Sequence, residues 1–193
     1  MKYLPKVKIE NLVLIINCLA FMYSGILFGG ESNSKALLLG FGGGFGAAYG
    51  NGIQAGYVLR DNIDINVGAG FNLSGGKLGI GSRLYIYPSN KITPFLGANI
   101  VRSTGLSEVR VTVNENEAFY KIPSNVVLNG KAGVRYRKES GTDILGAIGY
   151  GVAIGDNDAE YISGSKSDAV KDFADLATAG GIDISLSVLY YFR

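Results

Sequence analysis

The sequence predicts an all-β protein, an eight-stranded antiparallel up-and-down transmembrane β-barrel. Three observations lead to this prediction. After Ser34, apolar residues occupy every second position in eight successive segments of about ten residues. The opposite face of these segments consists largely of Gly and Ala. The connections between segments are short at one end of the predicted barrel and long at two places on the other.

The composition excludes several classes of protein. The 193 residues include 29 Gly, about twice the usual share, which disfavours a helical protein because Gly weakens helix interiors. There is no His, so His-based zinc sites and Ser-His-Asp hydrolysis are excluded. The only cysteine, Cys18, excludes a disulfide within the chain and a thiolate metal cluster. The formal net charge of +2 is too small for a nucleic-acid-binding protein, so no nucleic-acid partner is expected.

The first thirty residues resemble an export signal. Three Lys in the first eight residues precede an apolar run over residues 12–28, as in a secretory signal peptide. We therefore expect a signal peptide over residues 1–30 and an outer-membrane barrel domain over residues 31–193. An uncleaved anchor is the alternative, since the stretch Leu27-Phe28-Gly29-Gly30-Glu31 is a poor cleavage site.

The predicted strands follow one another with turn residues between them. Gly50-Asn51-Gly52, Ser74-Gly75-Gly76 and Pro88-Ser89-Asn90 supply three of the turns. In chain order the strands are predicted near residues 37–49, 53–59, 63–73, 77–87, 92–103, 124–137, 143–154 and 182–193.

The non-apolar face of these strands distinguishes a barrel from a soluble sandwich. A sandwich would expose a face rich in Lys, Glu, Thr and Ser, whereas this face holds small residues with a few charges and amides. Small residues fit the narrow interior of a small barrel, where side-chain volume is limiting. The tyrosines near strand ends are then expected to face outward as an interfacial girdle: Tyr49, Tyr57, Tyr136 and Tyr190.

The lengths of the connections predict which end faces outward. The joins at residues 60–62, 88–91 and 138–142 are short and fall on one side, while those at 104–123 and 156–181 are long and fall on the other. Outer-membrane barrels have short periplasmic turns and longer extracellular loops. The two long connections are therefore predicted to be extracellular.

Three stretches of sequence carry a resemblance to a known family. They are the C-terminal Ile184-x-Leu186-x-Val188-x-Tyr190-x-Phe192, the segment Gly56-Tyr57-Val58-Leu59-Arg60-Asp61-Asn62, and the segment Ile92-Thr93-Pro94-Phe95-Leu96-Gly97-Ala98. Over about residues 35–193 the chain resembles the eight-stranded outer-membrane β-barrel proteins of the OmpA/OmpX type. Arg193 departs from the family pattern because it follows the aromatic residue that usually ends the chain.

The resemblance carries expectations about location and partners. It implies a monomer in the cell outer membrane of a Gram-negative bacterium, exported through the signal peptide. It implies contact with outer-membrane lipid and lipopolysaccharide. It also implies insertion by the barrel-assembly machinery, with Tyr190 and Phe192 as the assembly signal.

Charged residues on the inward face are the first candidate functional feature. By parity, the inward positive residues are Arg60, Lys77, Arg83, Lys131, Arg135, Arg137 and Arg193, and the inward acids are Asp64, Asp143 and Asp183. We expect Arg135 and Arg137 to pair with Asp64 or Asp143. Arg83 and Lys131 are expected to have only neutral groups in reach, such as Asn66, Asn99 and Tyr85. The predicted lumen charge patch comprises Arg83, Lys131, Arg135, Arg137, Asp64 and Asp143, and water or a bound anion must compensate its excess of positive charge.

The long connections are the second candidate. Glu108–Val113 and Ala118–Ile122 alternate around a turn, which predicts either a projecting hairpin or an irregular loop. In the last loop, Ser167 is a possible cap for a short helix carrying Val170, Phe173 and Ala177 and ending at Gly180-Gly181. Asp156-x-Asp158-x-Glu160 offers oxygen ligands for Ca²⁺ but lacks the rest of a calcium loop, so a solvated acidic loop is favoured.

These observations favour a non-catalytic protein without cofactor or metal. Asp143 and Asp183 face inward but are predicted at opposite ends of the barrel, so they do not form a working carboxylate pair. The predicted role is structural or a surface interaction, namely envelope integrity or adhesion through residues 104–123 and 156–181. The alternatives are a narrow porin-like channel for small solutes or anions, and a soluble or periplasmic ligand-binding barrel.

Overall fold

The structure is a computed structural model, which describes residues 36–113, 116–155, 157–165, 170–171, 174–175 and 177–192. The predicted signal peptide over residues 1–30 lies outside the described residues. The same holds for Asp156, Ser167, Phe173 and Arg193.

Eight long strands close into a barrel. They are β1 Leu37–Phe45, β2 Asn51–Arg60, β3 Ile63–Asn72, β4 Gly75–Tyr85, β5 Ile92–Ser103, β8 Asn125–Arg137, β9 Thr142–Ile154 and β11 Gly181–Phe192. The spatial order is β1-β11-β9-β8-β5-β4-β3-β2, β2 pairs back onto β1, and every neighbouring pair is antiparallel. The predicted eight-stranded antiparallel barrel is therefore confirmed by the strand pairing.

The barrel turns its apolar face outward. Ile53, Phe71 and Ile148 are 70%, 68% and 67% exposed on three different strands. Asp64, Asn99 and other polar residues of the opposite face are buried inside. Because side chains alternate between the two faces of a strand, this inversion repeats around the whole barrel.

The connections divide the barrel into two ends. The chain enters β1 and leaves β11 at the terminal end, which also holds the short connections at 61–62, 86–91 and 138–141. The opposite end, called the loop end below, holds the connections at 46–50 and 73–74 and both long ones. Gly141 adopts a φ of 79° in the turn before β9, a conformation that favours glycine.

The two long connections fold together as a second, smaller sheet. The loop sheet consists of β6 Leu106–Val113, β7 Asn116–Ile122 and β10 Glu160–Gly164, in the order β10-β7-β6. Of the two alternatives that the sequence left open for this connection, a hairpin or an irregular loop, the structure shows the hairpin of β6 and β7. The pairing of β10 with β7, which joins the two connections, was not predicted from the sequence.

A short helical stretch packs against the loop sheet. Residues 170–171 and 174–175 are helical, as predicted for this part of the last connection. Val170 and Ala174 are fully buried there against Val111, Ala118 and Tyr120 of the sheet. No helix among the described residues is long and apolar enough to cross a membrane.

The predicted outward position of Tyr49 is wrong. β1 ends at Phe45, and the chain turns through residues 46–50 with positive φ at Gly46 and Gly50. This turn breaks the alternation that was extrapolated along the strand, and Tyr49 points into the barrel with 8% of its surface exposed. Tyr57, Tyr136 and Tyr190 do face outward, near the terminal end.

Candidate functional site

Near the terminal end, the barrel interior holds a charged cluster around Asp143. The Arg137 Nε atom donates to Asp143 Oδ1 at 3.2 Å, and the Tyr191 hydroxyl donates to Asp143 Oδ2 at 2.6 Å. Arg135 Nε lies 3.6 Å from Asp143 Oδ2. The structure thus places both arginines against Asp143 rather than against Asp64.

Aromatic and aliphatic side chains fill the interior around this cluster. The Arg135 guanidinium lies 4.1 Å from the centre of the Tyr85 ring, and the Tyr85 and Phe95 rings are 5.8 Å apart. Leu38 and Leu189 are buried in the same apolar cluster. The interior is therefore packed with side chains at this level, as in other small barrels.

A second buried ion pair joins β3 and β4, and it corrects the expectation for Arg83. Arg83 Nε donates to Asp64 Oδ1 at 2.9 Å, and both side chains are almost fully buried. The Tyr85 hydroxyl and the Asn66 amide also donate to Asp64, at 2.7 and 3.2 Å. Arg83 is therefore paired with a carboxylate, not surrounded by neutral groups alone.

The pairing of Arg83 with Asp64 follows from the register of one hairpin. Asp64 and Arg83 lie directly opposite each other in the β3–β4 ladder, with inward side chains. Counting back from the tight turn at residues 73–74 would have placed them side by side. The alternation of residues along a strand shows which face a side chain lies on, but it does not identify the residue opposite it on the neighbouring strand.

The turn at residues 46–50 folds into the loop end of the barrel. We call these residues the inner turn. Lys77 Nζ donates to the Ala47 carbonyl at 3.1 Å, and the Ala48 N–H donates to Asp183 Oδ2 at 3.2 Å. The Tyr49 hydroxyl lies 2.6 Å from Asn66 Oδ1 and 3.0 Å from Asn99 Oδ1. Side chains from four other strands, β3, β4, β5 and β11, therefore hold this turn in place.

The Tyr49 hydroxyl is set up as a hydrogen-bond donor. Burial raises the pKa of this residue well above its usual range. The phenol keeps its proton at neutral pH and donates it to the amide oxygen of either Asn66 or Asn99. Nothing in the sequence signals this role directly, since an aromatic residue at the end of a strand is also typical of an interfacial girdle.

Lys131 occupies the middle of one continuous row of paired residues. Across the ladders this row runs Asp64, Arg83, Gly97, Lys131, Gly149 and Asp183. A Cβ atom on Gly97 would lie 3.2 Å from Lys131 Cγ, and one on Gly149 would lie 2.7 Å from Lys131 Cβ. The two glycines therefore leave room for the lysine side chain.

The Lys131 ammonium lies inside the barrel and forms no ion pair with any described residue. Its Nζ atom is 5.9 Å from the centre of the Tyr49 ring, within range of a cation–π contact. Asp183 attracts it electrostatically, but among the described residues no carboxylate oxygen lies within ion-pair distance of it. The expectation that only neutral groups lie in reach of Lys131 stays a prediction.

The loop sheet is the second candidate site. Its outward face carries two exposed ion pairs, Arg110 with Glu117 at 2.5 Å and Lys121 with Glu160 at 2.9 Å. All five residues of β10 are exposed, and β10 is an edge strand. A bulge interrupts its pairing with β7 between Tyr161 and Ser163.

The predicted acidic ligands do not come together in the part of the chain that the structure describes. Asp156 lies outside the described residues, Asp158 is exposed, and Glu160 is paired with Lys121. No group of three or more metal-ligating side chains was found among the described residues. The calcium hypothesis stays a prediction without further support.

The predicted assembly signal lies on the outer surface at the terminal end. Tyr190 and Phe192 are 46% and 53% exposed on the apolar face of β11. Asp143 and Asp183 lie near opposite ends of the barrel, Asp143 at the start of β9 and Asp183 at the start of β11. The two acids therefore do not form a carboxylate pair.

Comparison with known proteins finds similarity of structure only. No family model and no curated protein matches the sequence. The chain is similar to the N-terminal β-barrel domain of Pseudomonas aeruginosa OprF, with 14% identity, a TM-score of 0.49, and coverage of 84% of this chain and 100% of that one. Neisserial surface protein A is 17% identical with a TM-score of 0.43, and the match covers 82% of this chain and 95% of that one. A major outer membrane protein from Thermus thermophilus is 14% identical with a TM-score of 0.43, and the match covers 83% of this chain and 100% of that one.

Proposed function

We propose that this chain is a non-catalytic outer-membrane barrel protein with a structural or surface-interaction role. The observation that carries the proposal is the inversion of the barrel, with apolar side chains outside and charged side chains inside. In water this arrangement would expose a continuous apolar belt, which soluble monomers avoid. In a bilayer the belt faces lipid, and the closed ladder leaves no unpaired strand edge.

The loop sheet supports a role at the cell surface. It lies at the loop end, which is the extracellular end in barrels with short periplasmic turns. Its three strands and its buried cluster give it a defined shape that a flexible loop would lack. The exposed edge strand β10 offers backbone groups to which a partner strand can add.

Heat-modifiability on a gel combined with proteolysis of intact cells tests the fold and the orientation together. A folded barrel resists detergent and shifts its mobility only on boiling. External protease is expected to cut within residues 104–123 or 156–181 and to spare the connections at 61–62, 86–91 and 138–141. A chain that shows no shift on boiling and no cut in those two segments would refute both the barrel in the membrane and its orientation.

Alkaline extraction separates the membrane proposal from the soluble alternative. A barrel embedded through its apolar belt stays in the membrane pellet at high pH. A periplasmic ligand-binding barrel would be released into the supernatant, and release would overturn the proposed location.

The two proposed roles differ in what the loop sheet contributes. If the role is adhesion, a chain in which residues 106–122 are replaced by a short Gly-Ser turn is expected to insert normally but to lose cell attachment. If the role is envelope integrity, the same chain is expected to preserve resistance of the cells to detergent, whereas deletion of the whole protein lowers it. Normal attachment and normal detergent resistance after deletion of the whole protein would contradict both roles.

A narrow channel is the second candidate, favoured by the charge of the interior. Lys77, Arg83, Lys131, Arg135 and Arg137 face inward against Asp64, Asp143 and Asp183, an excess of two positive charges among these described residues. Such an interior favours anions over cations. Planar-bilayer recording tests this candidate: sustained conductance with anion preference supports it, and conductance with cation preference contradicts it.

A further inference from the structure

A small cavity lies inside the barrel beneath the inner turn. The polar side chains that line it are Tyr49, Gln54, Lys131, Ser185 and Ser187. None of the described lining residues is acidic. The volume is about 20 Å³ on a scale on which one water molecule needs roughly 10–15 Å³, so the cavity suits a ligand of one or two atoms.

The polar side chains of this cavity present hydrogen-bond donors. The Gln54 Oε1 atom faces Arg83 Nη1 at 3.5 Å, which leaves the Gln54 amide N–H groups for the cavity. The hydroxyls of Ser185 and Ser187 have no side-chain hydrogen bond to any described residue. Lys131 adds an ammonium group that is 5.9 Å from the Tyr49 ring centre and is not ion-paired within the described part of the chain.

Among the described inward cations, Lys77 and Lys131 form no ion pair; Lys77 donates to the Ala47 carbonyl, whereas Lys131 lines the cavity. Asp64 is occupied by Arg83, and Asp143 by Arg135 and Arg137. Asp183, the remaining inward acid, uses one oxygen to accept the Ala48 N–H, and the cavity lining does not include it. Lys131 is only partly exposed, and a partly buried ammonium group without a neighbouring negative charge is unfavourable, so a bound anion at this position would stabilise the fold.

We propose that this cavity binds a small inorganic anion of halide size between the Lys131 ammonium, the Gln54 amide and the hydroxyls of Ser185 and Ser187. The donors come from three different strands, β2, β8 and β11, so the bound ion ties the barrel wall together. The inner turn covers the site, with Tyr49 held by Asn66 and Asn99. The site is therefore structural, and it stands independently of any role of the loop sheet.

Thermal unfolding of the full chain in detergent tests the proposal. The midpoint is measured at constant ionic strength in sodium chloride, sodium bromide or sodium gluconate, whose anion is too large for the cavity. At a halide concentration ten times the Kd we expect a rise of about 3 °C over gluconate, because a ligand that binds only the folded state stabilises it. Lys131→Met is expected to abolish this rise.

A matched lysine provides the control. Lys91 is exposed outside the barrel, where its Nζ atom lies 5.6 Å from the Tyr136 ring centre. Lys91→Met removes the same charge and should keep the full halide effect. Equal halide effects in the wild type and in Lys131→Met would overturn the proposal, as would no effect in the wild type.

Bromide in a crystal of the wild-type protein gives a second readout that does not depend on a folded variant. An anomalous peak between the Lys131 Nζ atom and the Ser185 and Ser187 hydroxyls supports the site. Absence of bromide from the cavity, while bromide binds elsewhere on the surface, refutes it. Should Lys131→Met fail to fold, the double substitution Ser185→Ala and Ser187→Ala is expected to weaken the halide effect, and an unchanged effect counts against the proposal.

Discussion

At the scale of single residues, the interior of the barrel depends on paired charges. The Arg83 side chain is buried against Asp64, and Tyr85 and Asn66 complete the hydrogen bonding of that carboxylate. Burying two charges costs desolvation energy that good geometry and extra hydrogen bonds offset. The barrel therefore tolerates this pair because both oxygens of the Asp64 carboxylate accept hydrogen bonds, and the loss of that carboxylate should be severe.

Asp64→Asn is expected to destabilise the barrel by about 3–5 kcal/mol, because it leaves the Arg83 guanidinium buried without a counterion. Urea unfolding in lipid vesicles measures the change. Glu160→Gln is the control, since it breaks an exposed ion pair with Lys121 and should cost less than about 1 kcal/mol. Equal effects of the two substitutions would show that the buried pair is not a stabilising unit.

At the scale of elements, the barrel strands were predictable and the loop sheet was only partly so. Residues 63–72 alternate so regularly that the predicted and observed strand differ by one residue at one end. The strand that pairs with β10 is not its neighbour in sequence. β10 pairs with β7 and joins residues about 40 positions apart, as in Tyr161 with Tyr120. Local patterns cannot report contacts between distant loops.

The same limit explains the two errors inside the barrel. Parity along β1 placed Tyr49 outside because nothing in the alternation marks the point at which the strand ends. Parity along β4 placed Arg83 inside correctly but did not identify Asp64 as its neighbour, since that requires the register of the hairpin. Faces follow from the sequence, whereas partners depend on register and on turn geometry.

The loop sheet should unfold separately from the barrel. Ala174 is fully buried against the sheet, so Ala174→Glu places a charge in that cluster. We expect this variant to keep the mobility shift on boiling but to become far more sensitive to protease within residues 155–180.

Lys171→Glu introduces the same side chain on the exposed side of the helical stretch and is the matched control. It loses only an exposed contact with Asp175 and should show the protease resistance of the wild type. Loss of the boiling shift in Ala174→Glu would instead show that the loop sheet and the barrel form a single cooperative unit.

At the scale of the whole molecule, the proposed orientation places the surface in two environments. The barrel wall exposes apolar residues such as Ile148, in the middle of β9, which would face the bilayer core in the proposed orientation. The loop sheet also exposes apolar residues, such as Ile162, but it carries exposed ion pairs and would lie in water in the same orientation. The exposed fraction of the side chain does not distinguish Ile148 from Ile162. The proposed surroundings do, since they are lipid at Ile148 and water at Ile162.

The same substitution at these two isoleucines therefore tests the membrane assignment. Ile148→Lys should destabilise the barrel by about 2–4 kcal/mol in lipid vesicles, because a lysine at the bilayer midplane loses its hydration. Ile162→Lys, 46% exposed on the loop sheet, should change stability by less than about 0.5 kcal/mol, since its ammonium stays in water. Urea unfolding of both variants in vesicles measures the difference. If Ile148→Lys were as neutral as Ile162→Lys, the barrel wall would be in contact with water, and the proposal of a membrane protein would fail.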